Sequence, residues 1–219
     1  MAIALFGSGE FTDAVDGIDA YLISTYAPKN IAIIPAAAGA ERDAGKWLAM
    51  AREHYKKFEL AVIDVPVFSP DDANDPAKAG LLNDCDWIFF SGGDPYYLLR
   101  LLTGSLVWDN VKERIEAGAL IAGSSAGAMV LGSYVLTNPL KAIVLGDGQT
   151  WKPGFSVVDF AILPHFNRMS SHASILKRLL KNAPKDVRDA WVGIDEDTAV
   201  IIDGDNRSIH GLGSVDFNL

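Results

Sequence analysis

The stretch Leu120-Ile121-Ala122-Gly123-Ser124-Ser125-Ala126-Gly127-Ala128-Met129 runs an apolar segment into a Gly-x-Ser-x-Gly turn and out into a helix-forming segment. A strand is predicted over 120–122 and a helix over 126–131. Strand, sharp turn and helix in this order are the setting in which a central serine, here Ser125, is raised above the strand ends as a nucleophile. Small residues on either side let the backbone bend and let a substrate approach. The helix that follows aims its free N–H groups and positive dipole end at the serine. This makes the amide of Ala126 a candidate donor to a developing oxyanion. The plainer reading is a Gly/Ser/Ala turn that only packs a helix against a sheet. Ser124 is the neighbouring serine, but Ser125 holds the central position.

The same alternation extends in both directions. Apolar runs at 2–6, 31–34, 60–67 and 86–90 predict strands, and 13–26, 44–58, 76–82, 96–102 and 107–117 predict helices, with 69–75 an acidic loop. Continuous apolar strands alternating with helices imply an α/β fold of three layers, a mostly parallel sheet with helices on both faces. Beyond the elbow, 142–145 and 161–163 are strand-like with glycine-rich turns between them, 170–182 and 185–190 are helical, and 198–203 with 207–212 forms a closing hairpin around Gly204-Asp205-Asn206. No linker, low-complexity stretch or fixed-period repeat interrupts residues 1–219, so a single hydrolase domain is expected.

Composition narrows the function. Hydrophobic residues make up 49% of the 219, enough for a packed core and too many for a disordered chain. The formal charge of -9 argues against a nucleic-acid partner, whose phosphates demand clustered Lys and Arg. A single cysteine, Cys85, permits no internal disulfide and no cysteine-based zinc site, which suits a reducing, cytoplasmic compartment. The apolar start at 1–6 is too short for a signal-peptide core, and no run approaches the ~18 residues of a membrane helix. No membrane partner is therefore expected, and the chain is expected to act as a monomer or homodimer.

A second strand, Ile88-Phe89-Phe90, closes at Ser91-Gly92-Gly93-Asp94. Ligands of doubly wound sheets bind beyond the carboxyl ends of strands, so the two glycine turns nominate one crevice, with the Gly93 amide as second oxyanion donor. Gly7-Ser8-Gly9 fails as a dinucleotide fingerprint because the third glycine position is Thr12. It is read as a structural turn, with Ser8 or Glu10 as possible crevice lining. A serine hydroxyl needs a base. Of four histidines, His54 falls on a solvated helix face beside Lys56 and Lys57, and His210 in the terminal hairpin is structural. His165 follows a strand and Pro164, at a strand's carboxyl end, and is the expected base, with His172 in reserve. A carboxylate must orient the imidazole. The run Asp195-Glu196-Asp197 supplies the leading candidate, Glu196, over Asp195, while Asp159 and Asp147 stay open.

At these residues the chain resembles the serine peptidase family of dipeptidase E and cyanophycinase. The resemblance rests on Phe90-Ser91-Gly92-Gly93-Asp94, Ala122-Gly123-Ser124-Ser125-Ala126-Gly127-Ala128, Pro164-His165-Phe166 and Gly193-Ile194-Asp195-Glu196-Asp197-Thr198-Ala199, with Ile33-Ile34-Pro35-Ala36-Ala37 in addition, and spans most of the chain. It implies a flavodoxin-like sheet with added strands, as in class I glutamine amidotransferases. It also implies Ser125 as nucleophile, His165 as base, and the amides of Gly93 and Ala126 as oxyanion donors. The cyanophycinase-like branch implies Glu196 as the acid, whereas dipeptidase E draws its acid from between nucleophile and histidine. Two departures argue against cyanophycin as substrate. Pro95 stands where cyanophycinase has a glutamine, and the segment after His165 holds one arginine, Arg168, where cyanophycinase has several. Recognition of a carboxylate calls for a cation, with Arg168 the leading candidate and Arg100 a weaker one, and Asp94 is the other expected substrate contact.

Together these readings predict a serine peptidase acting on small peptides, with aspartyl residues as the candidate cleavage site, without metal or cofactor. Three rivals differ in one feature each. An esterase of the α/β-hydrolase type commonly carries a His-Gly-Gly-Gly loop, absent here. A glutamine amidotransferase needs an elbow cysteine, and Cys85 precedes a different strand. A non-catalytic binding protein of the same fold would leave the serine unreactive.

Overall fold

The computed structural model describes residues 1–138, 150–170 and 173–219. The expected strand at 142–145, the reserve base His172 and the open acid Asp147 lie outside the described residues. The main sheet has seven strands in the order β11-β10-β1-β5-β4-β2-β3. These are β1 (Ala2–Phe6), β2 (Asn30–Ile34), β3 (Ala61–Asp64), β4 (Trp87–Phe90), β5 (Leu120–Ser124), β10 (Thr198–Asp203) and β11 (Asn206–Gly211). The five from β1 to β3 in that order are mutually parallel, and β10 and β11 join antiparallel to β1 and to each other.

The parallel strands read as unbroken apolar runs because both faces are covered. Ile3, Leu5, Ile88, Phe90 and Ile121 point to one side, packing with Leu98, Leu102, Val107 and Val130 of the helices Pro95–Leu102, Leu106–Glu116 and Ala126–Leu131. Ala4, Phe6, Trp87, Phe89 and Ala122 point to the other, against Ile18, Leu22, Ala51 and Tyr55 of Asp16–Tyr26 and Lys46–Lys56. The period-2 alternation of side chains thus feeds two cores from one sheet.

Three expectations need correction. Residues 69–75 are not simply a loop: Pro70–Ala73 is a helical turn held by a capping box, with Ser69 and Asp72 exchanging side-chain and backbone hydrogen bonds. His54 is not on a solvated face. It is buried, its Nε2 lies 2.7 Å from Asp19 Oδ2, and Asp19 also accepts from the Tyr55 hydroxyl at 3.2 Å. The histidine and the aspartate, 35 positions apart, each satisfy a group that would otherwise be costly to bury. Finally, the region after the elbow contains more strand than its glycines suggested. β6 (Tyr134–Leu136) pairs antiparallel with β7 (Trp151–Pro153), and a three-stranded sheet forms from β8 (Ala161–Pro164), β9 (Trp191–Ile194) and β12 (Val215–Asn218). β8 and β9 are parallel and β12 is antiparallel to β9. Among the described residues, no helix is long and apolar enough to cross a membrane.

Candidate active site

Ser125 occupies the tip between β5 and the helix Ala126–Leu131, with φ 50° and ψ -112°, a conformation that L residues rarely adopt. Its surroundings over-determine that conformation. The Ser125 amide donates to the Phe6 carbonyl at the end of β1 (3.1 Å), and its carbonyl accepts from Met129 at 3.0 Å. A Cβ at Gly127 would stand 2.1 Å from the Phe90 carbonyl oxygen, and one at Gly123 would stand 2.4 Å from the Gly127 oxygen. The two glycines of the motif therefore let three backbone segments meet where no side chain fits.

β4 ends beside β5, and the turn after it borders the same crevice. This space of about 430 Å³ is lined by Gly93, Asp94, Ser125, Ala126, Pro164 and His165, with apolar walls from Pro95, Met129 and Leu136. Gly93 has φ 141°, a region open to glycine. Asp94 Oδ1 accepts from the amides of Tyr96 (2.8 Å) and Tyr97 (2.9 Å), so the side chain proposed from sequence as a substrate contact caps the helix Pro95–Leu102. A larger open depression, about 630 Å³, lies between Phe11, Met50, Glu53 and Lys57, and neither a serine nor a cysteine lines it.

The second half of the site comes from β8 and β9. His165 follows Pro164 at the carboxyl end of β8, and its Nε2 lies 2.7 Å from Ser125 Oγ. Its Nδ1 lies 3.0 Å from Glu196 Oε1. An ionised carboxylate only accepts, so Nδ1 carries the proton and Nε2 is left to accept from the serine hydroxyl. Glu196 sits where the chain leaves β9 for β10 and so crosses from the small sheet to the large one. Its other oxygen, Oε2, accepts from Arg168 Nε at 3.0 Å. Partial burial alone would raise the Glu196 carboxyl, but the hydrogen bond from His165 and the Arg168 charge outweigh it and hold the group below the usual carboxylate range. Glycines again permit the approach: a Cβ at Gly7 would fall 2.0 Å from the Asp195 oxygen, and one at Gly9 would fall 2.3 Å from Asp197 Oδ1. The Gly7-Ser8-Gly9 turn is the floor on which the acidic turn rests.

The structure thus brings Ser125, His165, Glu196 and Arg168 together. The remaining candidates fall elsewhere. Asp195 Oδ2 accepts from the Ser214 amide (2.9 Å), and Asp159 lies before β8, at the opposite end from His165. Arg100 lies 5.6 Å over the Tyr96 ring. His210 stacks on Tyr21 at 4.0 Å, and burial lowers its pKa. Sequence reasoning undervalued Glu10. It is buried, Oε1 accepts from the Gly92 amide at 2.7 Å, and Oε2 accepts from Ser124 Oγ at 2.5 Å. A carboxylate one residue beyond a Gly-x-Gly turn was the available signal, but nothing local says whether it turns outward or inward. Among the described residues, no three His, Cys, Asp or Glu side chains gather as a metal-ligand set.

A mostly parallel three-layer sheet with a serine elbow, an imidazole and a carboxylate in hydrogen-bonded series defines the class: an α/β protein with the site architecture of the serine hydrolases. Within that class the chain belongs to peptidase family S51, whose model matches residues 3–210. A solved peptidase from an acI-B1 Actinobacterium superposes with a TM-score of 0.85 at 30% identity, covering 99% of this chain and 90% of that one. The cyanophycinase of Trichormus variabilis is 29% identical over 146 residues, 61% of this chain and 45% of that protein. Peptidase E of Shewanella denitrificans is 27% identical over 159 residues, 69% of this chain and 64% of that one. The chain spans about half the length of the cyanophycinases of Trichormus variabilis and Synechococcus elongatus that it matches.

Proposed function

We propose that residues 1–219 act as one serine peptidase domain that hydrolyses small peptides, with bonds at aspartyl residues the first to test. The observation that carries this reading is the position of His165, 2.7 Å from the Ser125 hydroxyl on one side and 3.0 Å from the Glu196 carboxylate on the other. Ser125 Oγ attacks the scissile carbonyl carbon as its proton passes to His165 Nε2. The amides of Gly93 and Ala126, both at the crevice, stabilise the oxyanion. Collapse of the tetrahedral intermediate breaks the C–N bond, and the imidazolium returns its proton to the leaving amine. Water, deprotonated by the same imidazole, then attacks the acyl ester, and the imidazolium returns that proton to Ser125 Oγ as the ester C–O bond breaks. No metal or cofactor enters these steps. Arg168, three-quarters exposed and anchored on Glu196, supplies a positive charge beside the triad for a substrate carboxylate. A cytoplasmic setting suits a chain whose one cysteine is buried.

The test is covalent labelling with a fluorophosphonate probe. The wild-type chain is expected to label at Ser125, and Ser125→Ala to lose all labelling and all hydrolysis of an aspartyl-peptide panel. Persistent labelling of that variant at the same site would refute the assignment.

A further inference from the structure

Glu10 is used by none of the steps above, yet it lies against both loops that carry them. Its carboxylate is held by a backbone amide and a hydroxyl: Gly92 N–H donates to Oε1 at 2.7 Å and Ser124 O–H donates to Oε2 at 2.5 Å. Gly92 precedes the proposed oxyanion donor Gly93, and Ser124 precedes the nucleophile. One side chain therefore spans the loop after β4 and the end of β5, 82 and 114 positions away in sequence. Burial is costly for a carboxylate, and two charge-assisted hydrogen bonds offset part of that cost only while both loops keep their places. Glu10 is only 6% exposed and Ser124 is fully buried, so bulk water does not compete for these bonds.

The packing is equally close. A Cβ at Gly92 would meet Glu10 Oε1 at 2.8 Å and the Ser125 Cβ at 3.4 Å, so the carboxylate, the loop backbone and the nucleophile's own side chain lie in one tight stack. Gly93, next along, is exposed at the crevice, and its φ of 141° lies where a side chain brings strain. A glycine pair so free to rotate needs an external anchor if its amide is to hold one direction. The Asp94 amide, bonded to the Ala37 carbonyl at 2.9 Å, fixes the far side of the loop. Glu10 fixes the near side.

We infer that Glu10 is a positioning residue for the oxyanion hole, clamping Gly92 and Ser124 so that the Gly93 amide and the Ser125 hydroxyl keep a fixed separation. It touches neither substrate nor the reacting atoms. A donor displaced by about 1 Å loses on the order of 10²-fold in rate, because the hydrogen bond is made to the oxyanion and hardly at all to the ground state. The loss therefore falls on the chemical step and leaves ground-state binding alone.

This inference rests on the hydrolase reading, and the same labelling assay separates the two. For the wild-type chain, Glu10→Ala, Glu10→Gln and Ser124→Ala, the fluorophosphonate reaction is resolved into its maximal rate and its half-saturating concentration, and folding is checked by thermal melting. Glu10→Ala is expected to lower the maximal rate roughly 10- to 100-fold with the half-saturating concentration within about threefold. Glu10→Gln is expected to recover most of the rate, since its amide oxygen accepts from Gly92 and its NH₂ donates to the Ser124 oxygen. Ser124→Ala, which removes one of the two anchors, is expected to fall between them, and it decides the matter if Glu10→Ala does not fold. A folded Glu10→Ala that labels at the wild-type rate, or an unchanged Ser124→Ala in its stead, would overturn the clamp and leave the hydrolase reading intact. A wild-type chain that does not label would overturn both.

Discussion

Ser125 and the Gly92-Gly93 turn stand at the ends of neighbouring strands of one parallel sheet, whereas His165 and Glu196 come from a separate three-stranded sheet and from the crossing back to the main one. The first half is fixed by main chain on main chain, with the Ser125 amide on Phe6, Gly127 against the Phe90 carbonyl and Asp94 on Ala37, and by one buried side chain, Glu10, between Gly92 and Ser124. The second half is fixed by side chains reaching across the fold: His165 to Ser125, Glu196 to His165, Arg168 to Glu196. Backbone contacts of the first kind leave no slack. Side-chain contacts of the second kind hold a geometry through hydrogen bonds that can be weakened one at a time. Where backbone meets backbone, in the Ser125 half, substitution is therefore expected to cost stability, and in the His165 half it is expected to cost rate.

The largest expected effect is Glu196→Gln. Losing the carboxylate that holds Nδ1–H leaves the wrong tautomer free to form, and kcat is expected to drop by about 10²–10⁴ with little change in melting temperature. A loss of tenfold or less would mean that another carboxylate orients His165.

Next comes a matched pair of glycine substitutions. Gly127→Ala drives a methyl against the Phe90 carbonyl, which belongs to a buried central strand, and is expected to cost about 3 kcal/mol or more in urea unfolding. For Gly193→Ala the nearest atoms belong to the Phe166 ring, at 2.4 Å. That ring is buried but is a side chain, which can shift where a strand backbone cannot, and it follows His165 in sequence, so a smaller cost, roughly 1–2 kcal/mol, is expected with a fall in kcat. Equal destabilisation by both would remove the distinction between the halves.

The smallest effect is Arg168→Met, read by unfolding against pH. Because the folded Glu196 carboxyl is depressed below its unfolded value, it contributes stability that is present above about pH 4.5 and is lost as the pH falls through the folded value. Removing the guanidinium charge raises the folded value towards the unfolded one and shrinks that contribution. The Arg168 side chain is largely exposed, so the wild-type advantage at pH 7 is expected to be only ~0.5 kcal/mol and to vanish on acidification. An advantage that grows towards acid pH would contradict the assigned coupling.

The same division separates what could be read early from what could not. Apolar runs, Gly-x-Ser-x-Gly and Ser-Gly-Gly-Asp are contiguous, and each states its own geometry. β1, β2, β4, β5 and the elbow helix therefore agree with their sequence expectation to within about two residues. β9 is missing from the strands expected from sequence because Val192-Gly193-Ile194 is short and its partners, Ala161–Pro164 and Val215–Asn218, are distant. His54 looked solvated beside two lysines until Asp19, on another helix, came to meet it.

By itself, then, the amino-acid order determined the layered parallel sheet, the serine on its bend and the glycines that make the bend possible, since all of these depend on neighbours within a few positions. Only the tertiary structure decided that Glu196 and not Asp195 or Asp159 faces His165, and that Glu10 turns inward between two loops. The first outcome hangs on the pairing of β10 with β1 and of β9 with β8, which sets where the 195–197 turn between them lies, and the second on the distant Gly92 amide and Ser124 hydroxyl that the Glu10 carboxylate meets.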